Sequence, residues 1–342
     1  MLDTNSFSCE YNKSNGLCLV LTADRIRSPA QGTRKFMIYQ RTIAKKVDVV
    51  GIGIHSGRKV SMTLYPAPAD TGIVFKRTDL ENAPEIMACA TNVGATENNT
   101  TIGSGMNAVH TVEHFLSVLY GIGINNVYVE IDGPEVPIMD GSGASFVFLL
   151  KETGVATLNT SKKFLVVTKP VEVKVEDKWA RIEPASKLII DSTIVFSHAK
   201  IQKQQKVFEF SCENYIAEIS RARTFGLLRD VDALKRKGLI KGGSLDNAIV
   251  LDDYNVINPE GLRFGDEFVR HKILDTIGDI ALLGYEIAGK ITTYKSGHNI
   301  HNLLCRRLLE TEGAYEIVSA SSLEREVLQS FELPQMMVAA FS

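Results

Sequence analysis

The sequence predicts an α+β fold: two related two-layer α/β sandwich domains, packed helix face to helix face, with a site at their interface. Three observations lead there. A chain of 342 residues exceeds the usual span of one core, which makes two domains the default. Strand-like alternation between Gly, Pro and Asp turns opens each half. The halves also repeat one another in order. Residues 110–154 run as a helix carrying His114, a glycine, a strand, Ser142-Gly143, a helix and a glycine, and residues 271–313 run as a helix carrying Asp275, a glycine, a strand, Ser296-Gly297, a helix and a glycine. Such order implies one β-α-β-α topology used twice, each sheet covered by helices. A pseudo-twofold pairing would let the two polar helices face one another.

Composition narrows the class. With 44% hydrophobic and 23% charged residues the chain is ordinary globular material. A net charge of −2, with no Arg/Lys run interleaved with aromatics, argues against a nucleic-acid partner. The five cysteines (Cys9, Cys18, Cys89, Cys212, Cys305) are scattered and lack C-x2-C spacing, so neither a disulfide framework nor a thiolate zinc knuckle is expected. That favours a reducing compartment and a cytoplasmic location. No apolar run approaches the roughly 20 residues that span a bilayer. Residues 16–23 are short and follow Asp3 and Glu10, unlike a signal peptide. Residues 25–35 have a linker-like composition. Residues 1–36 therefore read as a flexible N-terminal appendage or an upstream start-site artefact.

In chain order, strands are expected at 37–50, 59–65 and 72–76, around the glycine-rich turn Gly51-Ile-Gly-Ile-His55-Ser-Gly57. His55 reads as a hydrogen-bonded turn residue. Asn107 caps a helix to about Tyr120 with Gly121 as its stop, which sets His110 and His114 four apart on one face. A strand at 125–132, a loop to Gly143 and a helix at 144–153 complete a first domain, 37–157. A linker at 154–163 leads to a second domain, 163–340, with strands at 164–168, 171–175, 180–183, 188–194 and 207–210. Helical stretches to Ser220 and at 230–237 follow, then a buried strand at 248–251. A helix runs from an Asp266 cap to Gly284, before a strand at 286–293 and a helix at 298–310.

The 266–284 helix draws attention first. His271, Asp275 and Asp279 recur every four residues, near one stripe. Two carboxylates and an imidazole there cost stability unless a cation or proton offsets them. Alone, the stripe is a solvated polar face. His114 from the matching helix supplies a further ligand, and His114, His271 and Asp275 make an open catalytic site rather than a closed structural one. Glu113, about 100° around its helix from His114, is placed to take a proton from a bound water. His298 at a helix start can protonate a leaving group, with Asp279 raising its pKa.

Longer motifs then fall into place: His-Thr-Val-Glu-His (110–114), Ser-Arg-Ala-Arg-Thr-Phe (220–225), residues 262–279 and Tyr-Lys-Ser-Gly-His (294–298), with Gly51–Gly57 and Pro137-Ile-Met-Asp-Gly-Ser. Together they resemble the UDP-3-O-acyl-N-acetylglucosamine deacetylase family, over about Met37 to Ala340. The resemblance implies hydrolysis of the acetamide of a UDP-linked acylated glucosamine, the step that commits Gram-negative bacteria to lipid A. It implies Zn2+ (Fe2+ on the same ligands) held by His114, His271 and Asp275, Glu113 as general base and His298 as general acid paired with Asp279. It also implies Thr224 as an oxyanion donor, and Phe225 and Lys272 as substrate contacts. A β-α-β insert at about 226–253 would wall a passage for the acyl chain. A monomer is expected, with transient contact at a membrane surface for so amphipathic a substrate. Residues 1–36 have no counterpart in the family, and His110 is not among its ligands.

Two other chemistries share these residues. His110-x-x-Glu113-His114 is literally the inverted zinc-peptidase motif, which requires both histidines on one helix; it leaves His271, Asp275, Asp279 and His298 without a role. Two histidines and a carboxylate also describe the facial triad of non-haem iron oxygenases, but Glu113 and His298 favour hydrolysis.

Overall fold

The first five-stranded sheet has the spatial order Val47–Ile52, Lys59–Pro66, Val127–Ile131, Ile73–Arg77, Glu85–Met87. The second has the order Val171–Val175, Lys178–Glu183, Lys290–Tyr294, Ile189–Val195, Lys203–Glu209. In each, the strand that comes last in sequence enters the middle, antiparallel to one neighbour and parallel to the other. The repeat seen in the helices thus extends to the strand order, and the architecture is α+β with two sheet-based halves. These facts come from a computed structural model that describes residues 38–324 and 328–332. The appendage expected at 1–36 lies outside the described residues.

Helices α1 (Glu113–Ile122) and α2 (Ala144–Thr153) flank the central strand of the first sheet in sequence. After a one-turn helix α3 (Cys212–Asn214), a π-helical turn (Tyr215–Ile219) and helix α4 (Leu228–Arg236), helices α5 (Glu267–Ala281) and α6 (His298–Glu310) flank that of the second. The pairing of α1 with α5 joins the halves. Every residue of α1 is buried, because α5 covers the face that would otherwise meet water. Phe115 and Leu119 of α1 share one apolar cluster with Ile273 and Ile277 of α5, each such side chain contributing about 1.5–3 kcal/mol on burial.

Several expected boundaries shift for identifiable reasons. The helix expected from Asn107 starts only at Glu113. His110 N–H donates to Pro134 O, Val136 N–H donates to His110 O, and Thr111 takes a left-handed φ of 58°, so this stretch is extended. At its other end Gly123, with φ 74°, is the C-terminal cap. Gly121 is required instead by close packing, since a Cβ there would lie 2.2 Å from the Tyr215 ring. The stretch read as a linker contains a strand, Val155–Ser161, antiparallel to Tyr39–Ile43. The single strand expected at 286–293 is two, Glu286–Ala288 beside Lys163–Val167 and Lys290–Tyr294 in the main sheet.

The α1–α5 contact depends on Gly278, where an added Cβ would fall 2.0 Å from the carbonyl oxygen of Glu113. Gly278→Ala is expected to force the helices apart and lower stability by about 2–3 kcal/mol, measured by urea unfolding. A midpoint unchanged from wild type would contradict this reading of the contact.

Candidate active site

At the α1–α5 crossing, the ligand atoms of His114, His271 and Asp275 all lie within 4.8 Å of one another, and all three residues are buried. The two imidazole rings stand edge to face, centroids 4.9 Å apart at 84°. Asp275 Oδ1 is 3.5 Å from His114 Nε2 and 3.3 Å from His271 Nε2. His271 Nδ1 lies 3.1 Å from Ala222 O, a contact that requires its proton on Nδ1 and leaves the Nε2 lone pair facing Asp275. Burial, only partly opposed by Asp275, pushes the pKa of His271 down to about 3, so the ring is neutral. Burial acts to raise the Asp275 carboxyl, but the Lys272 ammonium, 2.7 Å from Oδ2, helps to hold it well below the usual range.

These groups fit a cation. Asp275 Oδ1 is buried without a hydrogen-bond partner, a costly state for a carboxylate oxygen unless something electropositive compensates. Lys272 occupies only Oδ2, which leaves Oδ1 turned to the two histidines.

Beside this cluster stands a second. Glu113 Oε2 accepts from Thr100 N–H at 3.0 Å, and its Oε1 lies 3.7 Å from His298 Nε2. Burial raises the Glu113 pKa. Burial alone would depress His298, but Asp279 and then Glu113 outweigh it and raise its pKa to about 9. Asp279 meets His298 Nδ1 at 2.9 Å. His298 is therefore an imidazolium at neutral pH, facing a carboxylate that is a strengthened base.

Glu113 and His114 also line a cavity of about 420 Å3, together with Thr224, Phe225 and apolar residues of the β-α-β unit Phe225–Leu227, α4 and Ile249–Leu251. His55 and Thr111 line it as well. Both are placed by buried Glu135, which accepts from His55 N–H, Ser56 N–H and the Thr111 hydroxyl. That clamp is what the glycine-rich turn serves, and spacing alone did not reveal it. Phe225 stacks edge-on against Phe268, with its centroid 6.3 Å from that of His271. Lys272, also expected to contact substrate, is held on Asp275.

The nine residues expected at the site lie around one crossing and the cavity beside it, but two of their partners escaped the sequence. Thr100 sends its backbone N–H to Glu113 and its hydroxyl to Asp279 at 2.5 Å. His301, one turn after His298 on α6, sends Nδ1 to Asp279 at 2.7 Å. The His298-x-x-His301 spacing was a legible signal; nothing in the sequence marked Thr100. His110, which only the peptidase motif would make a ligand, precedes α1, and its Nδ1 lies 2.8 Å from the Thr101 hydroxyl. His110 and His114 therefore do not share one helix, as the peptidase motif requires.

An open two-histidine, one-aspartate pocket beside a carboxylate base and a charged histidine is the constellation of a metal-assisted hydrolase. Residues 40–310 match the LpxC family model, UDP-3-O-acyl N-acetylglycosamine deacetylase. A protein of Thioalkalivibrio sulfidiphilus (strain HL-EbGR7) named UDP-3-O-acyl-N-acetylglucosamine deacetylase is 48% identical over 285 residues, 83% of this chain and 94% of that one. The chain belongs to the UDP-3-O-acyl-N-acetylglucosamine deacetylase family. Among the described residues, no helix is long and apolar enough to cross a membrane.

His110→Ala is expected to keep one divalent ion per chain, whereas Asp275→Ala should lose more affinity than the roughly 10–100-fold that removal of an outer partner costs. Metal analysis of the dialysed variants decides; retention by Asp275→Ala with loss by His110→Ala would reverse the ligand assignment.

Proposed function

We propose that the protein hydrolyses the acetamide of UDP-3-O-(3-hydroxyacyl)-N-acetylglucosamine to the free 2-amine and acetate, the committed step of lipid A synthesis. The observation that carries this is the position of the Glu113–His298 pair beside the His114–His271–Asp275 set, at an apolar cavity. Family membership names the substrate class. His114, His271 and Asp275 would hold Zn2+, or Fe2+ on the same ligands, and the bound ion would supply Lewis acidity for the acetamide carbonyl and lower the pKa of water towards about 7.

The chain's own residues do the rest. Glu113, its Oε2 fixed by Thr100, takes the proton of the attacking water, and burial makes it a stronger base for that purpose. Thr224 lines the cavity, and its hydroxyl steadies the oxyanion as the carbonyl becomes tetrahedral. His298, kept protonated by Asp279, gives its proton to the departing amine. Phe225 and Lys272 hold the sugar and its polar groups. The acyl chain enters between Phe225, Leu227, Val231, Leu234 and Ile257, where each buried methylene contributes about 0.8 kcal/mol.

Residues 37–157 and 163–340 act as two domains that each bring half of the site. The protein works as a cytoplasmic monomer that meets its amphipathic substrate transiently at a membrane surface.

Acetate release should vanish with chelator and return with Zn2+, and its absence from metal-loaded protein would end the deacetylase reading. Because His298 is protonated below about 9, activity should hold as pH falls from there and decline as pH rises through it. His298→Ala should lose that basic limb, and Glu113→Gln should lower kcat by about 10²–10⁴. A limb that persists unchanged in His298→Ala removes the acid role.

A further inference from the structure

Asp279 accepts three hydrogen bonds. Oδ2 meets His298 Nδ1 at 2.9 Å and His301 Nδ1 at 2.7 Å, and Oδ1 takes the Thr100 hydroxyl at 2.5 Å. An ionised carboxylate only accepts, so both histidines present Nδ1–H to the same oxygen. His301 is buried, with its ring perpendicular to that of His298. Its far nitrogen, Nε2, lies 2.9 Å from Ser296 Oγ and 3.3 Å from Thr276 Oγ1. The ring is thus held at both ends; it does not line the cavity, and with Asp279 and His298 it forms a second cluster separate from His114, His271 and Asp275.

We propose that His301 is a positioning residue for the acid step: its Nδ1–H fixes Asp279 Oδ2 against His298 and draws off part of that carboxylate's charge.

The physical reason is competition for one oxygen. A hydrogen bond donated to a carboxylate stabilises the anion and makes it less basic. With His301 in place, Asp279 keeps His298 protonated without binding that proton so tightly that transfer to an amine slows. The charged and titratable groups facing His298 are Asp279 and Asp275 from α5, Glu113 from α1 and His55 from the glycine-rich turn. Asp279 alone among them bonds to Nδ1. Among the described residues, Asp279 is the charged group to which His301 hydrogen-bonds; Ser296 and Thr276 are neutral. The loss of its hydrogen bond must therefore be felt through Asp279.

Two polar substitutions divide the contacts of His301. His301→Asn puts an amide N–H near the place of Nδ1 and is too short to reach Ser296. His301→Gln reaches towards Ser296 and Thr276 and misses Asp279. The kinetic readout rests on the deacetylase reading, so metal-loaded protein is also followed without substrate, by NMR titration of the His298 ring. His301→Asn should keep the basic limb and the NMR midpoint near wild type. His301→Gln should move both upward by about half a pH unit or more and lower kcat about tenfold, with KM unchanged. Superimposable titrations for the two variants, both like wild type or both displaced, would overturn the proposal and leave His301 a packing residue. If wild-type protein releases no acetate, the deacetylase reading fails and the NMR comparison still decides the role of His301.

Discussion

Everything in the centre depends on two helices meeting through bare backbone. The approach of Gly278 to the Glu113 carbonyl lets α1 and α5 cross closely enough for His114 and His271 to stand edge to face. A methyl group at that point would separate histidines that come from different halves of the chain. The crossing also forces carboxylates into the interior, where an unpaired charge is expensive. Each is answered locally: Asp275 by Lys272, Asp279 by two histidines and Thr100, Glu113 by the Thr100 backbone.

The surroundings fix what the crossing brings together. Glu267, fully buried at the start of α5, accepts from the Arg223 backbone N–H and guanidinium and from Arg263 N–H. Thr224 and Phe225 follow directly, so this ion pair ties the cavity wall to the helix that carries His271 and Asp275. Glu135 does the same on the other side, joining the glycine-rich turn to the left-handed Thr111 just before Glu113. Both clamps use a carboxylate to collect backbone N–H groups that irregular chain would otherwise leave unsatisfied.

Much of this was legible beforehand because helices advertise themselves by period. The stripe on α5, the His298 helix start and the repeat of helix, strand and Ser-Gly all survive in the structure with small shifts. What escaped were contacts between extended segments. Residues 107–112 have the spacing of a helix, yet their backbone partners include Thr100, Ile102, Pro134 and Val136, and no local pattern encodes such pairings. Thr100 was invisible for the same reason: its role arises where a loop passes two helices. His110 shows the converse, a residue with a persuasive motif whose hydrogen bond goes to Thr101.

The strand order has a consequence for how the molecule comes together. In both sheets the middle position is filled by the strand made last, Val127–Ile131 in one and Lys290–Tyr294 in the other. Lys290–Tyr294 pairs with Lys178–Glu183, more than a hundred residues earlier. Contacts of such separation close large loops before they return any stabilisation, which slows folding. The helices that carry the candidate ligands precede these central strands, α5 with the short strand Glu286–Ala288 between. A chain emerging from the ribosome thus completes its candidate site only late, when the second sheet closes around its last strand.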